Sequence, residues 1–174
     1  MKKIHLLSAM VGVVVVATSA SAFAAETGGC NSFTWPITTE LKWMKSESQD
    51  VASGGKLPSP PEKAVKLALE PMSAVSFPVA PTGRLKPHGE AYGGIIAFDS
   101  PSSAPGAYQF SLDAPAWIDV IQDGKALKPT AHSGKTDCDG VRKSVRFNLD
   151  PGPFTVEISN VKKDAIKFTI RQAE

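Results

Sequence analysis

The sequence predicts a mainly β protein, an antiparallel β-sandwich or jelly roll with one short N-terminal helix. Three observations lead there. From Ala64 to the C-terminus apolar side chains recur at alternate positions, the period of a strand with one buried face. Turns rich in Pro and Gly interrupt that alternation at short intervals, and no stretch between them carries a helix-length period. Fourteen prolines in 174 residues suit short strands with protected edges.

Taken in chain order, Lys2 and Lys3 precede an apolar run from Ile4 to Ala17 and a small-residue tract from Thr18 to Ala25. The run is shorter than the ~20 residues of a spanning helix, and Ala-x-Ala registers such as Ala20-Ser21-Ala22 follow it. Residues 1–24 therefore read as a secretory signal peptide. The expected mature chain, periplasmic or secreted, has no transmembrane segment and is sized for one domain. Without Lys2 and Lys3, 17 basic side chains face 17 acidic ones. Such neutrality lacks the basic surface that nucleic acid or anionic lipid would require.

Cys30 and Cys138 are the only cysteines, and an oxidising compartment makes a disulfide their simplest use. That bond would staple the N-terminal segment, residues 25–62, to a sandwich spanning residues 63–174. Within the segment, Pro36 to Lys45 predicts a short helix with Ile37, Leu41 and Met44 on one face. Trp35 and Trp43 widen that face, which either docks on the domain or forms an aromatic patch for a partner. Residues 46–62, rich in Ser, Gly and Pro, read as a linker or surface loop.

The sandwich begins with Val65, Leu67 and Leu69 on one face of a strand and Val75, Phe77 and Val79 on one face of the next. Gly94 to Phe98 is a short apolar strand. Tyr108, Phe110 and Leu112 alternate with Gln109 and Ser111. Trp117 to Ile121 ends at the turn Asp123-Gly124, and Lys125 to Lys128 returns as its partner. Val145, Phe147 and Leu149 form a further strand, Pro151-Gly152 turns the chain into Phe154, Val156 and Ile158, and Ile166, Phe168 and Ile170 close the series.

The densest polar stretch, Thr130 to Gly140 followed by Arg142, Lys143 and Arg146, reads as a loop and as the first choice for a site. Its candidate binding residues are His132, Lys135, Asp137, Asp139, Arg142 and Arg146, with Trp117 as a possible platform. Gly134-Lys135-Thr136 resembles the end of a phosphate loop, but Pro129 replaces the required earlier glycine. Asp137 and Asp139 lack the further ligands and closing Glu of a calcium loop. His132 and Ser133 are adjacent, and no Gly-x-Ser-x-Gly elbow occurs. An iron site of the two-His, one-carboxylate type would have to draw on His88 and His132, with an acid such as Glu90 or Asp137. His88-Gly89-Glu90 lacks the second histidine of the cupin motif, so no metal or other cofactor is expected. Arg142, Ser144 and Arg146 share one strand face, where they hold an anion or pair across strands with Asp119 or Glu157.

The tract Gly106 to Leu112, Ala116 to Val120, Val145 to Leu149 and Pro151 to Val156 resembles a group of short exported bacterial proteins without an assigned role. It is also similar to bacterial pre-peptidase C-terminal (PPC-like) β-sandwich domains, in its tyrosine-bearing strand and its Pro-Gly turn before a final hairpin. That resemblance implies an accessory or carbohydrate-associated module. The expected function is a non-catalytic binding or structural module for a carbohydrate, a small anion or an envelope protein. The rival readings are a small metal-dependent cupin-like enzyme, with a dioxygenase label that these motifs do not support, and an envelope-complex partner acting through Trp35 and Trp43.

Overall fold

The computed structural model describes residues 28–83, 91–101 and 104–174. A 3-10 turn (Cys30–Ser32) leads into helix α1 (Thr38–Lys45). Then follow β1 (Gln49–Ala52), β2 (Gly55–Leu57), β3 (Val65–Ala68), β4 (Glu70–Pro71), β5 (Tyr92–Phe98), β6 (Gly106–Leu112) and β7 (Trp117–Gln122). The remaining strands are β8 (Lys125–Ala126), β9 (Ala131–Gly134), β10 (Lys143–Leu149), β11 (Phe154–Val161) and β12 (Ala165–Gln172). They form a β-sandwich. One sheet runs β1-β3-β12-β6-β10-β9, the other β2-β5-β11-β7-β8 with β4 beside β5.

The alternation read from the sequence selects the inner faces. Tyr108, Phe110 and Leu112 of β6, Val145, Phe147 and Leu149 of β10, and Ile166, Phe168 and Ile170 of β12 face Ile96, Phe98, Ile118, Val120, Phe154, Val156 and Ile158 in one buried cluster. Phe110 joins the layers, meeting Phe147 of its own sheet edge to face at 5.4 Å and Phe154 of the other at 6.4 Å. Such pairs add about 0.5–1.5 kcal/mol to their area burial.

Both sheets are mixed. Pairing is antiparallel except at one side of the sandwich, where β1 runs parallel to β3 and β2 parallel to β5. The chain changes sheet between two consecutive residues there: the Ser53 N–H donates to Ala68 O of the first sheet, and the Gly54 N–H to Ile95 O of the second. Gly54, at φ +83°, takes the left-handed conformation this corner requires. On the opposite side a second crossing links β8 to β9.

Three local expectations give way. The linker expected at 46–62 contains β1 and β2, whose parallel pairing is non-local and leaves no periodic trace. Residues 75–79 form no strand; Pro78 and Pro81 remove ladder donors, and the Val79 N–H is taken instead by the Glu157 carboxylate at 3.0 Å. Ala131–Gly134, read as loop, is the edge strand β9, paired with β10 through His132 opposite Val145 and Ser133 opposite Ser144.

The N-terminal segment covers the outer face of the first sheet. Phe33, Trp35, Ile37 and Met44 form a second apolar cluster with Ala64, Cys138 and Val141. The Cys30–Cys138 disulfide, with Cα atoms 4.6 Å apart, pins this cap. Trp35 is buried at 7% exposure, so of the two readings of this face the helix docks on the domain. No helix among the described residues is long and apolar enough to cross a membrane. The leader, residues 1–24, lies outside the described residues.

Candidate ligand-binding cleft

A cleft of about 200 Å³ opens where β7 meets the edge formed by β9 and β10. The strand period builds it. Lys143, Val145 and Phe147 share the inner face of β10, and His132 lies opposite Val145 in β9. Ile118 closes the floor, Pro129 comes from the crossing between β8 and β9, and Trp117, Asp119 and Thr82 complete the wall.

Trp117 is 40% exposed, the only large hydrophobic side chain so exposed among the described residues. It is nevertheless fixed. Its indole N–H donates to Thr82 Oγ1 at 3.0 Å and to Asp119 Oδ1 at 3.1 Å. Gly83 lies so close to the five-membered ring that a Cβ at that position would overlap it. Asp119 in turn takes the Thr82 N–H on Oδ2 at 3.0 Å and the Thr82 hydroxyl on Oδ1. The Lys143 ammonium sits 5.1 Å from the Trp117 ring centroid and donates to Ala116 O at 3.4 Å. Burial, reinforced by the Arg142 charge, lowers the Lys143 pKa, while the Asp119 carboxylate opposes that shift.

Behind this wall Glu157 is paired directly across the strands with Asp119. Desolvation raises the Glu157 pKa and the Asp119 charge adds to it, against the Val79 N–H. The two acids hold down residues 79–82, which cover the outer face of the second sheet.

Of the residues singled out from the sequence, Trp117 and His132 meet in this cleft. Lys135, Asp137 and Asp139 belong to the loop that carries the disulfide. Asp137 accepts the N–H groups of Gly28 at 2.9 Å and Gly29 at 3.0 Å, which lower its pKa. Lys135 is buried at 7% exposure, its N–H bonded to Arg142 O. Arg142 stands half-buried at the start of β10, contributing charge near Lys143.

Arg146 is committed elsewhere. It stacks 4.3 Å above the Trp35 ring and donates to Gln109 Oε1 at 3.0 and 3.1 Å, on the capped face. The expected cross-strand pairing of Arg142 or Arg146 with Asp119 or Glu157 is not formed, because β10 pairs with β6 and β9 while those acids sit on β7 and β11. His88 and Glu90, the weak metal candidates, lie outside the described residues. Among the described residues no three His, Cys, Asp or Glu side chains cluster closely enough to hold a metal ion.

Asp119 and Thr82 were not among the chosen site residues, and Lys143 was read only as part of the basic cluster with Arg142 and Arg146. The Trp117-x-Asp119 alternation could have placed Asp119 beside Trp117, and the Lys143-x-Val145 alternation could have aimed Lys143 inward. Nothing in the sequence marked Thr82. No protein-family model matches this chain, and no curated protein does.

Proposed function

We propose that this chain is an exported, non-catalytic β-sandwich module that binds a small ligand in the Trp117 cleft. The setting of Trp117 carries the reading: an exposed indole, rigidly held, beside a part-buried ammonium in an apolar recess. Ligand sites combine apolar walls with a few fixed polar groups in this way. The cleft is smaller than the ~300 Å³ at which drug-sized sites begin. Its occupant is a small molecule and not a polymer chain.

An accessory role agrees with the likeness to PPC-like sandwich domains, and export with the leader pattern and the disulfide. The test is a titration of the ¹⁵N-labelled protein with glucose, benzoate and benzamide, read at the indole N–H signals of Trp35, Trp43 and Trp117. At least one probe is expected to shift the Trp117 signal saturably, and Trp117→Ala to abolish binding where Trp43→Phe does not. Shifts confined to Trp43, or none at all, would overturn the cleft as the site.

A further inference from the structure

We infer that the cleft selects a small organic carboxylate with a compact apolar body; this rests on the cleft being the binding site. The inference comes from counting the hydrogen-bonding capacity still unspent around it. The Thr82 hydroxyl donates to Asp119 and accepts from Trp117. The Asp119 carboxylate already takes three donors, one on Oδ2 and two on Oδ1. The Trp117 N–H is shared between those two partners. What remains is the Lys143 ammonium, with three N–H donors and one long bond to Ala116 O, and the exposed His132 imidazole.

A sugar presents hydroxyls that need acceptors as well as donors, and the one carboxylate in this wall, Asp119, already has three of its about four acceptor sites taken. An anionic group needs donors and a compensating charge. Lys143 offers both from a part-desolvated position, where a charge-assisted bond is stronger than in water. The carboxylate of the ligand therefore faces Lys143 and His132, and its body lies against Trp117, Val145 and Phe147. A volume of about 200 Å³ equals roughly seven waters' share of liquid volume, enough for one ring or a short branched chain. Asp119 sets a limit on charge: its carboxylate beside Lys143 disfavours a dianion.

The test compares probes that differ in one property, all read at the Trp117 indole N–H. Benzoate is expected to bind about tenfold or more tightly than benzamide, its neutral isostere, and than acetate, which lacks the body. Lys143→Gln is expected to reduce benzoate affinity by about tenfold while leaving benzamide unchanged. The parent comparison alone decides the matter if that variant does not fold. Equal binding of benzoate and benzamide, equal binding of acetate, or stronger binding of glucose would each overturn the carboxylate assignment while keeping the cleft as the site. Failure of every probe to move the Trp117 signal would instead remove the cleft itself.

Discussion

Glu157 and Asp119 face one another across β11 and β7 in a nearly waterless setting, at 1% and 5% exposure. Like charges directly opposite in a ladder are unfavourable. Because the folded pKa of Glu157 is raised, the native state binds its proton more readily than the unfolded chain does. The stability lost to its ionisation is absent below the ordinary value of 4.5 and grows as pH rises through the folded value. Asp113, raised by burial, acts with the same sign. Asp137 acts oppositely, its contribution present above 3.8 and lost as pH falls through its lowered value. Glu157→Gln keeps an oxygen for the Val79 N–H and removes the charge. We expect this variant to be more stable than the parent at neutral pH by about 0.5–1 kcal/mol. That advantage should fade on acidification toward pH 4.5, measured by urea unfolding at several pH values. Equal stability at neutral pH would show that the contacts of residues 79–82 already compensate the pair.

Among the elements, α1 carries the least visible cost. Glu40, fully buried, accepts from Gln109 Nε2 at 2.5 Å and from Arg171 Nε at 2.6 Å, while its Oε2 has no hydrogen-bond partner. Removing it takes from Arg171 its buried carboxylate partner and leaves the guanidinium with Gln172 O and the exposed Glu174 carboxylate. Glu40→Ala should therefore cost about 3–5 kcal/mol in chemical denaturation, whereas a loss under 1 kcal/mol would mean that water replaces the carboxylate. The helix itself was legible from Ile37, Leu41 and Met44, as were the inner faces of β6, β10, β11 and β12, because period and burial coincide there. The outer face of the first sheet was not. Gln109, Ser111, Ser144 and Thr169 alternate with apolar neighbours and read as solvent-facing, yet all are fully buried beneath the cap. Polar identity signals exposure only where no other layer covers the sheet. The cleft was half legible for a related reason: Trp117 and His132 stood out by type, whereas Lys143 and Thr82 gained their meaning from crossings that bring distant edges together.

At the scale of the molecule, the N-terminal cap lies over the two sheets, and the disulfide holds it there. It closes a separation of 108 residues, which restricts the unfolded chain by about 4–5 kcal/mol in the chain-entropy account. Cys30→Ala with Cys138→Ala should lower stability by an amount of that order. Amide exchange should accelerate first in residues 28–46 and least in β5 and β11. An unchanged denaturation midpoint under reductant would mean that the buried Trp35, Glu40 and Arg146 contacts hold the cap unaided.

The strands that end the two sheets are all short: β1 and β9 have four residues, β2 three and β8 two. Each is also bent away from its sheet where the chain crosses to the other, at Ser53–Gly54 and at residues 127–130. Among the described residues, a neighbouring copy thus finds no long, flat row of free N–H and C=O groups to extend. The corners that shape the sandwich are therefore expected also to disfavour edge-to-edge addition of crowded chains.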